Sequence, residues 1–520
     1  MPGAFSEGPG IFYTTTPGIQ GLTRIGRINL SPSITKMKIC FFKILISITI
    51  ISLFSCKKTS SASPQLTVSQ TALAFAPEGG TQDFSIACNA TWTIVNPGSD
   101  WLQLSATSGS SGNMVIHLTT LSENGTGSTR SSTLTINSSN GQARSLKVAQ
   151  TSNIYPNYNT SPKAADASGM SSNAVQLAAK IKLGWNIGNT LEAPGGETGW
   201  GNPVITEDYV KAVKQQGFNA IRLPCAWNWG HLSNQTTAQI DPNWLKRVKE
   251  VVGYCVNNDM YVLLNIHWDG GWLDDHINTV MQDSINAKQR ALWEQIATTM
   301  RDFDEHLMFA SANEPPADNA EKMTVLNSYH QTFINAVRLT GGKNSYRVLV
   351  VQGPSTDIDK TNDLMTTLPK DQVPNRMMVE VHYYSPYQFC LMDGDASWGK
   401  MFYYWGAGHH STIEPDRNAS FGEENDVNTA FNKMKTKFTD KGIPVLLGEY
   451  GAYRRDNTAH VPLDLATHND AVDYWITYIT KQAKTNGMLP FFWDTGTALD
   501  RRNYSVKDQR TITAINKRAN

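Results

Sequence analysis

Tyr261-Val262-Leu263-Leu264-Asn265-Ile266-His267-Trp268-Asp269 is an apolar run of strand length that finishes in polar residues. A run this short, with no charge until its end, fits a strand buried on both faces. An amphipathic stretch precedes it. Asp241 or Asn243 opens a helix in which Leu245, Val248, Val252 and Cys255 share one face. A second helical stretch, Ala287–Phe303, follows, and then another apolar run, Leu307–Ala312. The same alternation extends outward in both directions. Strands are expected at Leu183–Gly188, Ala220–Pro224, Arg347–Val351, Met378–His382, Pro444–Gly448 and Leu489–Trp493. Helices are expected from the Thr206 cap to about Gln216, and over Lys322–Leu339, Asn428–Lys441 and Asn469–Thr485. Eight strand–helix units in roughly 350 residues predict an α/β fold, a (β/α)8 TIM barrel, over residues 169–520. No internal sequence repeat is visible.

Upstream the grammar is different. Leu66–Val68, Phe84–Ala87, Trp92–Val95, Met114–Leu118, Thr133–Ile136 and Ser145–Val148 are short, partly alternating runs. Gly, Ser, Asn and Pro clusters such as Gly79-Gly80 and Ser139-Asn140-Gly141 separate them. This rhythm predicts a small all-β sandwich over residues 65–152. Residues 153–168, with Tyr155-Pro156-Asn157 and Ser161-Pro162, read as a linker, and residues 57–64 as a tether. Before the tether, Lys38 and Lys43 precede an uncharged run, Ile44 to Phe54. Such a run is too short for a membrane span, which needs ~20 apolar residues, and matches a secretory signal. Its end, Leu53-Phe54-Ser55-Cys56, resembles a bacterial lipobox, which implies lipidation of Cys56 and a signal peptide over residues 37–56. Residues 1–36 are expected to be an upstream segment outside the mature protein. The chain is therefore expected to be exported, as an envelope lipoprotein facing the periplasm or the exterior, or as a secreted protein.

Composition narrows the function. The chain has 520 residues, with 45 Lys plus Arg against 45 Asp plus Glu, so its formal net charge is zero. Nucleic acid or an anionic membrane surface as main partner would call for a basic excess. A monomer is expected, touching membrane only through the lipid. Cys88, Cys225, Cys255 and Cys390 stand alone, without a CxxC pair, and read as buried thiols; export leaves a disulfide open. There is no HExxH helix, GxSxG elbow or phosphate loop, and His409-His410 lies in a Gly-rich loop with no third ligand nearby. No metal or cofactor is expected.

The barrel reading makes a demand, because the active face of such a barrel lies where its strands end. Polar residues do collect there: Arg222, His267-Trp268-Asp269, Asn313-Glu314-Pro315, His382-Tyr383-Tyr384, Glu449-Tyr450 and Trp493-Asp494. Glu314 and Glu449 end the fourth and seventh strands, which face each other across the mouth. Two carboxyl groups ~5–5.5 Å apart, one protonated and one ionised, are what a retaining glycosidase needs.

The ordered set Gly184-Trp185-Asn186-Ile187-Gly188-Asn189-Thr190-Leu191-Glu192, Glu197–Pro203, Gly217–Pro224, Asn265-Ile266-His267, Asn313-Glu314-Pro315, His382-Tyr383-Tyr384 and Gly448-Glu449-Tyr450 closely resembles glycoside hydrolase family 5, across the whole barrel. The opening blocks look like its endo-β-1,4-glucanases, a group that includes xyloglucanases and lichenases. The resemblance implies a retaining endo-β-1,4-glucanase acting on β-glucan polysaccharide. Glu314 would be the acid/base and Glu449 the nucleophile. Arg222 would position Glu449, Asn313 would hold the sugar 2-hydroxyl, Tyr384 would bond near the nucleophile and His382 would support Glu314. His267, Trp493, Asn189, Trp268 and Trp200 would bind substrate. Many relatives carry a second His where this chain has Trp268, so any contribution there must come from stacking. Upstream, Trp92 and Trp101 followed by Ser108-Gly109 resemble the BACON domains found ahead of envelope glycosidases, with both indoles read as core of a spacer. Xyloglucan, mixed-linkage glucan or mannan as preferred polymer, and a catalytically dead glycan-binding barrel, stay open as rivals.

Overall fold

The computed structural model describes residues 63–517, apart from 125–128, 153 and 457. The expected signal peptide, Cys56 and most of the tether lie outside the described residues. No described helix is long and apolar enough to cross a membrane.

The upstream module is a two-sheet β-sandwich. One sheet has the order Leu66–Val68, Thr81–Cys88, Gly112–Thr120, Leu102–Leu104. The other runs Ala72–Phe75, Ala143–Gln150, Arg130–Ser138, Trp92–Val95, Ser108–Gly109. Strand alternation sends Phe84, Ile86, Leu134, Ile136, Leu146 and Val148 inward, where they form one core. Each such side chain contributes roughly 1.5–3 kcal/mol by leaving water. Trp92 and Trp101 are buried in that core. Trp92 lies flat over Gly109, where a Cβ would stand 2.3 Å from the indole. Arg130 covers Trp101 at 4.8 Å. The three short strands at 72–75, 102–104 and 108–109 carry too little pattern to be read in advance.

The segment read as a linker is built onto the barrel instead. Tyr158 N–H donates to Glu294 Oε2 at 2.7 Å and its hydroxyl to the Thr237 carbonyl at 2.8 Å. Lys163–Ala165 pairs in parallel with Gly341–Gly342. Its Pro, Asn and Ser composition hides this, because much of what holds it is backbone hydrogen bonding.

Eight parallel strands close the barrel: β1 (Gly184–Ile187), β2 (Ala220–Leu223), β3 (Tyr261–Asn265), β4 (Leu307–Ala310), β5 (Leu349–Gln352), β6 (Met377–Tyr383), β7 (Val445–Tyr450) and β8 (Met488–Asp494). All eight expected strands are present. Helices at Glu207–Gln215, Pro242–Asn257, Gln282–Met300, Ala320–Leu339, Glu424–Lys437 and Leu465–Thr485 form the outer layer. Thr206 and Asp241 cap the first two, each accepting from a first-turn backbone N–H. The interior holds Ala220, Leu263, Met308, Ala310, Val350, Met378, Leu446, Leu489 and Phe491. Leu177 and Ile181, from and just after the short helix Ala174–Lys180, join this cluster. Cys88, Cys225, Cys255 and Cys390 are buried and carry free thiols.

Candidate active site

Period-two alternation decides which polar side chains meet. On β2, Ala220 faces the interior, so Arg222 does too. Leu263 on β3 is followed by Asn265 and His267, Met378 on β6 by Glu380 and His382, and Phe491 on β8 by Trp493. The first members of each series are apolar and fill the barrel; the later ones converge at its mouth. Glu449 breaks the count. Leu446 faces inward, so a residue three further on would face out. The register shifts on both sides of β7: Val381 pairs with Leu447 but His382 with Glu449, and Leu447 pairs with Pro490 but Tyr450 with Phe492. Gly448 is absorbed as a bulge, which turns Glu449 into the mouth.

Arg222, fully buried, organises the nucleophile side. Its Nη1 donates to Glu449 Oε1 at 2.7 Å and to Asn186 Oδ1 at 3.0 Å. Its Nη2 donates to Asn313 Oδ1 at 2.7 Å, which leaves the Asn313 amide nitrogen to donate into the cleft. Its Nε lies 2.8 Å from Glu380 Oε1. Tyr384 donates its hydroxyl to Glu449 Oε2 at 3.0 Å. Burial, then the Glu449 charge, push the Tyr384 phenol well above its ordinary range, so it stays a donor.

Glu314 stands opposite, with its side chain 46% exposed against 8% for Glu449. Its Oε1 lies 2.7 Å from His382 Nδ1, and Thr356 donates to it at 3.5 Å. His382 Nε2 is 3.2 Å from Glu380 Oε1, and its Nδ1 is 3.8 Å from Glu449 Oε1. Burial pulls the imidazole pKa down, but the Glu449, Glu314 and Glu380 carboxylates outweigh it and carry it up to about 9. Partial desolvation by the cleft walls would raise the Glu314 pKa; the hydrogen bond and charge of His382 outweigh it and hold it below the ordinary value. In the open cleft the pair therefore keeps its shared proton on the histidine side. Ligand-type atoms of Glu314, His382 and Glu449 all lie within 4.8 Å of one another. A carboxylate separation this short belongs with the ~5–5.5 Å spacing of double displacement, and leaves no room for the water of an inverting site at ~6.5–9.5 Å.

His267 receives the Asn265 amide at Nδ1 (3.2 Å), which puts its proton on Nε2. Burial first, then the Arg222 and His382 charges, hold it well below its usual pKa, so it is a neutral donor. Its ring stacks with Trp493 at 6.0 Å and 10°. Gly188 makes room for that indole, since a Cβ there would stand 2.6 Å from it. Trp268 packs edge-on to Trp229 at 5.1 Å. Asp269 clamps this arm: it accepts from Asn228 N (2.9 Å), Trp229 N (2.7 Å) and Trp272 Nε1 (2.9 Å). Asn189, at φ 60, hands its carbonyl to Asn202 and its N–H to Glu192. Trp200 is 41% exposed on the loop after β1, outside the hydrogen-bonded network of the carboxylates. His410 bonds Glu423 at 2.7 Å and His409 stacks on Tyr474, away from the mouth.

Four residues of the network are not anticipated from the sequence: Asn186, Gln352, Thr356 and Glu380. Glu380 has a signal, since it lies two residues before His382 on the same strand face. Thr356 has none. It and Ser355 take positive φ of 45° and 54°, a conformation costing ~1–3 kcal/mol per residue. The Ser355 N–H donates to the Pro315 carbonyl at 2.7 Å, which ties this turn to the Glu314 segment.

Comparison with known proteins agrees with this geometry. Residues 186–498 match the model of the cellulase family, glycosyl hydrolase family 5, and residues 65–153 match that of the viral BACON domain. The chain is 32% identical over 493 residues to the xyloglucan-specific endo-β-1,4-glucanase BoGH5A of Bacteroides ovatus, covering 90% of this chain and 94% of that one. Among solved structures, a Bacteroides ovatus family 5 xyloglucanase in complex with an XXXG heptasaccharide superposes with TM-score 0.65 at 32% identity, covering 88% of this chain and all of that one. XEG5B, a xyloglucan-specific β-1,4-glucanase from a ruminal metagenomic library, gives 0.62 at 38% identity, over 67% of this chain and 96% of that one. With the barrel, the bulged β7 and both strand-end glutamates in place, the chain belongs to glycosyl hydrolase family 5.

Proposed function

We propose that the chain is a retaining endo-β-1,4-glucanase with Glu449 as nucleophile and Glu314 as acid/base. The observation that carries this is the pair of glutamates with oxygens inside 4.8 Å, one exposed with its Oε1 2.7 Å from His382 Nδ1 and one held by Arg222 and Tyr384. A β-1,4-linked glucan lies across the mouth with one sugar on Trp493. Its filling of the cleft expels water from Glu314, disfavours the ionised form, and draws the proton from His382 Nδ1 across 2.7 Å. Glu314 then protonates the glycosidic oxygen while a Glu449 oxygen attacks the anomeric carbon. The C–O bond to the leaving chain breaks and a glycosyl–Glu449 ester forms. Water, deprotonated by Glu314, cleaves that ester and restores both residues. Asn313 donates to the 2-hydroxyl and His267 Nε2 to the sugar, contacts that strengthen as positive charge builds on the ring.

Xyloglucan as the preferred polymer is favoured within this reading. A relative that matches over 90% of this chain is named for it, and Tyr387 and Trp398, on the segment after β6, form an exposed aromatic pair able to carry a branched chain. We further propose an exported monomer, anchored through lipid at Cys56. Mass analysis of the mature N-terminus tests the anchor, and an unmodified Cys56 would refute it. The activity is tested by product profiles on carboxymethylcellulose, xyloglucan, barley β-glucan, glucomannan and xylan, wild type beside Glu449→Ala. Internal cleavage of a β-1,4-glucan by wild type only supports the reading. Glycan binding without cleavage would replace it with a dead binding barrel.

A further inference from the structure

Both catalytic arms rest on the same buried atom. Glu380 Oε1 lies 2.8 Å from Arg222 Nε and 3.2 Å from His382 Nε2. Its Oε2 accepts the Gln352 amide at 2.5 Å, and Gln352 Oε1 accepts the N–H of Ala312, two residues before Glu314, at 2.9 Å. The Glu380 side chain is fully buried, and it fills the space that Gly448 leaves open: a Cβ at 448 would stand 2.0 Å from Oε1. The bulge that aims the nucleophile and the cavity that admits this carboxylate are thus the same feature.

We infer that Glu380 is a positioning residue that couples the two halves of the proposed double displacement, holding Arg222 toward Glu449 and His382 toward Glu314 through one oxygen. The inference rests on the proposed glycosidase reading. Its charge has a purpose that hydrogen bonding alone does not serve. His382 is faced by Glu314 from β4, Glu449 from β7, Arg222 from β2, the neutral His267 from β3 and Glu380 from its own strand. Removing one of three anions weakens the hold on the last proton of the His382–Glu314 pair.

The test compares Glu380→Gln, Gln352→Glu and the double variant, in the full chain. Glu380→Gln sets a new amide N–H against the amide N–H of Gln352. The double variant restores the match. A carboxylate at position 352 can accept both from the new amide at position 380 and from the Ala312 N–H, while carrying the charge one side chain farther from His382. For Glu380→Gln we expect kcat to fall at least about tenfold with KM within about twofold, and the basic limb of kcat/KM to move down by about one pH unit. The double variant should regain the wild-type melting temperature but keep the shifted limb. Restoration of both by the double, or an unshifted limb in Glu380→Gln, overturns the inference. The His382 ring titration, followed by NMR, reads the same coupling without turnover: a lower midpoint in the double variant supports it, and an unchanged one refutes it. Wild type inactive on every glucan, with the NMR midpoint still lowered, would sink the glycosidase reading alone.

Discussion

Between the sheets of the sandwich, Phe84, Ile86, Leu134, Ile136, Leu146 and Val148 meet without a charge among them. At the barrel mouth, Arg222, Glu380, His382 and Glu449 are just as buried and all ionisable. Both regions are β structure obeying the same period of two. The sandwich uses its inward positions to exclude water, and its tryptophans follow suit. The barrel uses the lower inward positions that way and gives the upper ones to charges. Burying charges costs several kcal/mol each before pairing. A fold accepts that cost where preorganised dipoles act on a reaction. Burial alone therefore does not mark function; buried charge at strand ends does.

The largest expected effect separates the regions outright. Glu449→Ala should lower kcat by on the order of 10⁴-fold or more while oligosaccharide binding persists, read by kinetics and calorimetry. Near-wild-type turnover in that variant would end the mechanism. Glu314→Ala should cost ~10²–10⁴-fold on polymer, less on aryl glycosides with good leaving groups, with partial rescue by azide. In the sandwich, Leu134→Ala should cost ~2–5 kcal/mol of that module's stability yet leave kcat/KM on soluble glucan unchanged. A matching fall in activity would show that the module does more than space.

Two smaller effects sharpen the contrast. A chain of residues 154–520 should match the full chain on soluble glucan, whereas one of residues 169–520 should melt several degrees lower, having lost hydrogen bonds worth ~1 kcal/mol each. Equal melting would mean that the docked segment is only a spacer. The last concerns pH. The His382 pKa is raised to about 9, through the Glu449, Glu314 and Glu380 carboxylates overcoming burial, so its stabilising effect is complete below ~pH 6.5 and fades as pH rises through 9. Glu192, pushed up to about 7 by burial, holds a proton in the native state that the unfolded chain releases from about pH 4.5, so its effect is spent mostly below pH 7 and leaves His382 to set the change at higher pH. The barrel should lose stability between about pH 6.5 and 9 while the sandwich transition stays flat, as measured by denaturant unfolding with separate probes. A sandwich that weakens in parallel would contradict the contrast.

The same contrast explains what is legible in the sequence. Eight apolar runs ending in polar residues are visible because burial on both faces writes a continuous pattern. Glu314 and Glu449 stand at those ends. Glu380 is hidden because a charge inside an apolar run looks like an interruption, although its spacing from His382 puts both on one face. The Gly448 bulge leaves no trace in composition, since register is settled between strands. Residues 153–168 look like a linker because backbone groups, which every sequence carries, do much of the docking.

The docked segment has a mechanical consequence. Lys163–Ala165 joins the barrel at Gly341–Gly342, just before β5 begins, while the carboxylates sit where strands end. If the chain is tethered upstream as proposed, an enzyme gripping a long polymer would be pulled from two directions. Tension along the N-terminal chain would enter first at Tyr158, held by Glu294 and Thr237, and then at that short ladder, and the recoil of the polymer through the mouth. The closed ring of eight strands lies between the two, so a load along the upstream chain would meet the barrel before it reached the strand ends that carry Glu314 and Glu449.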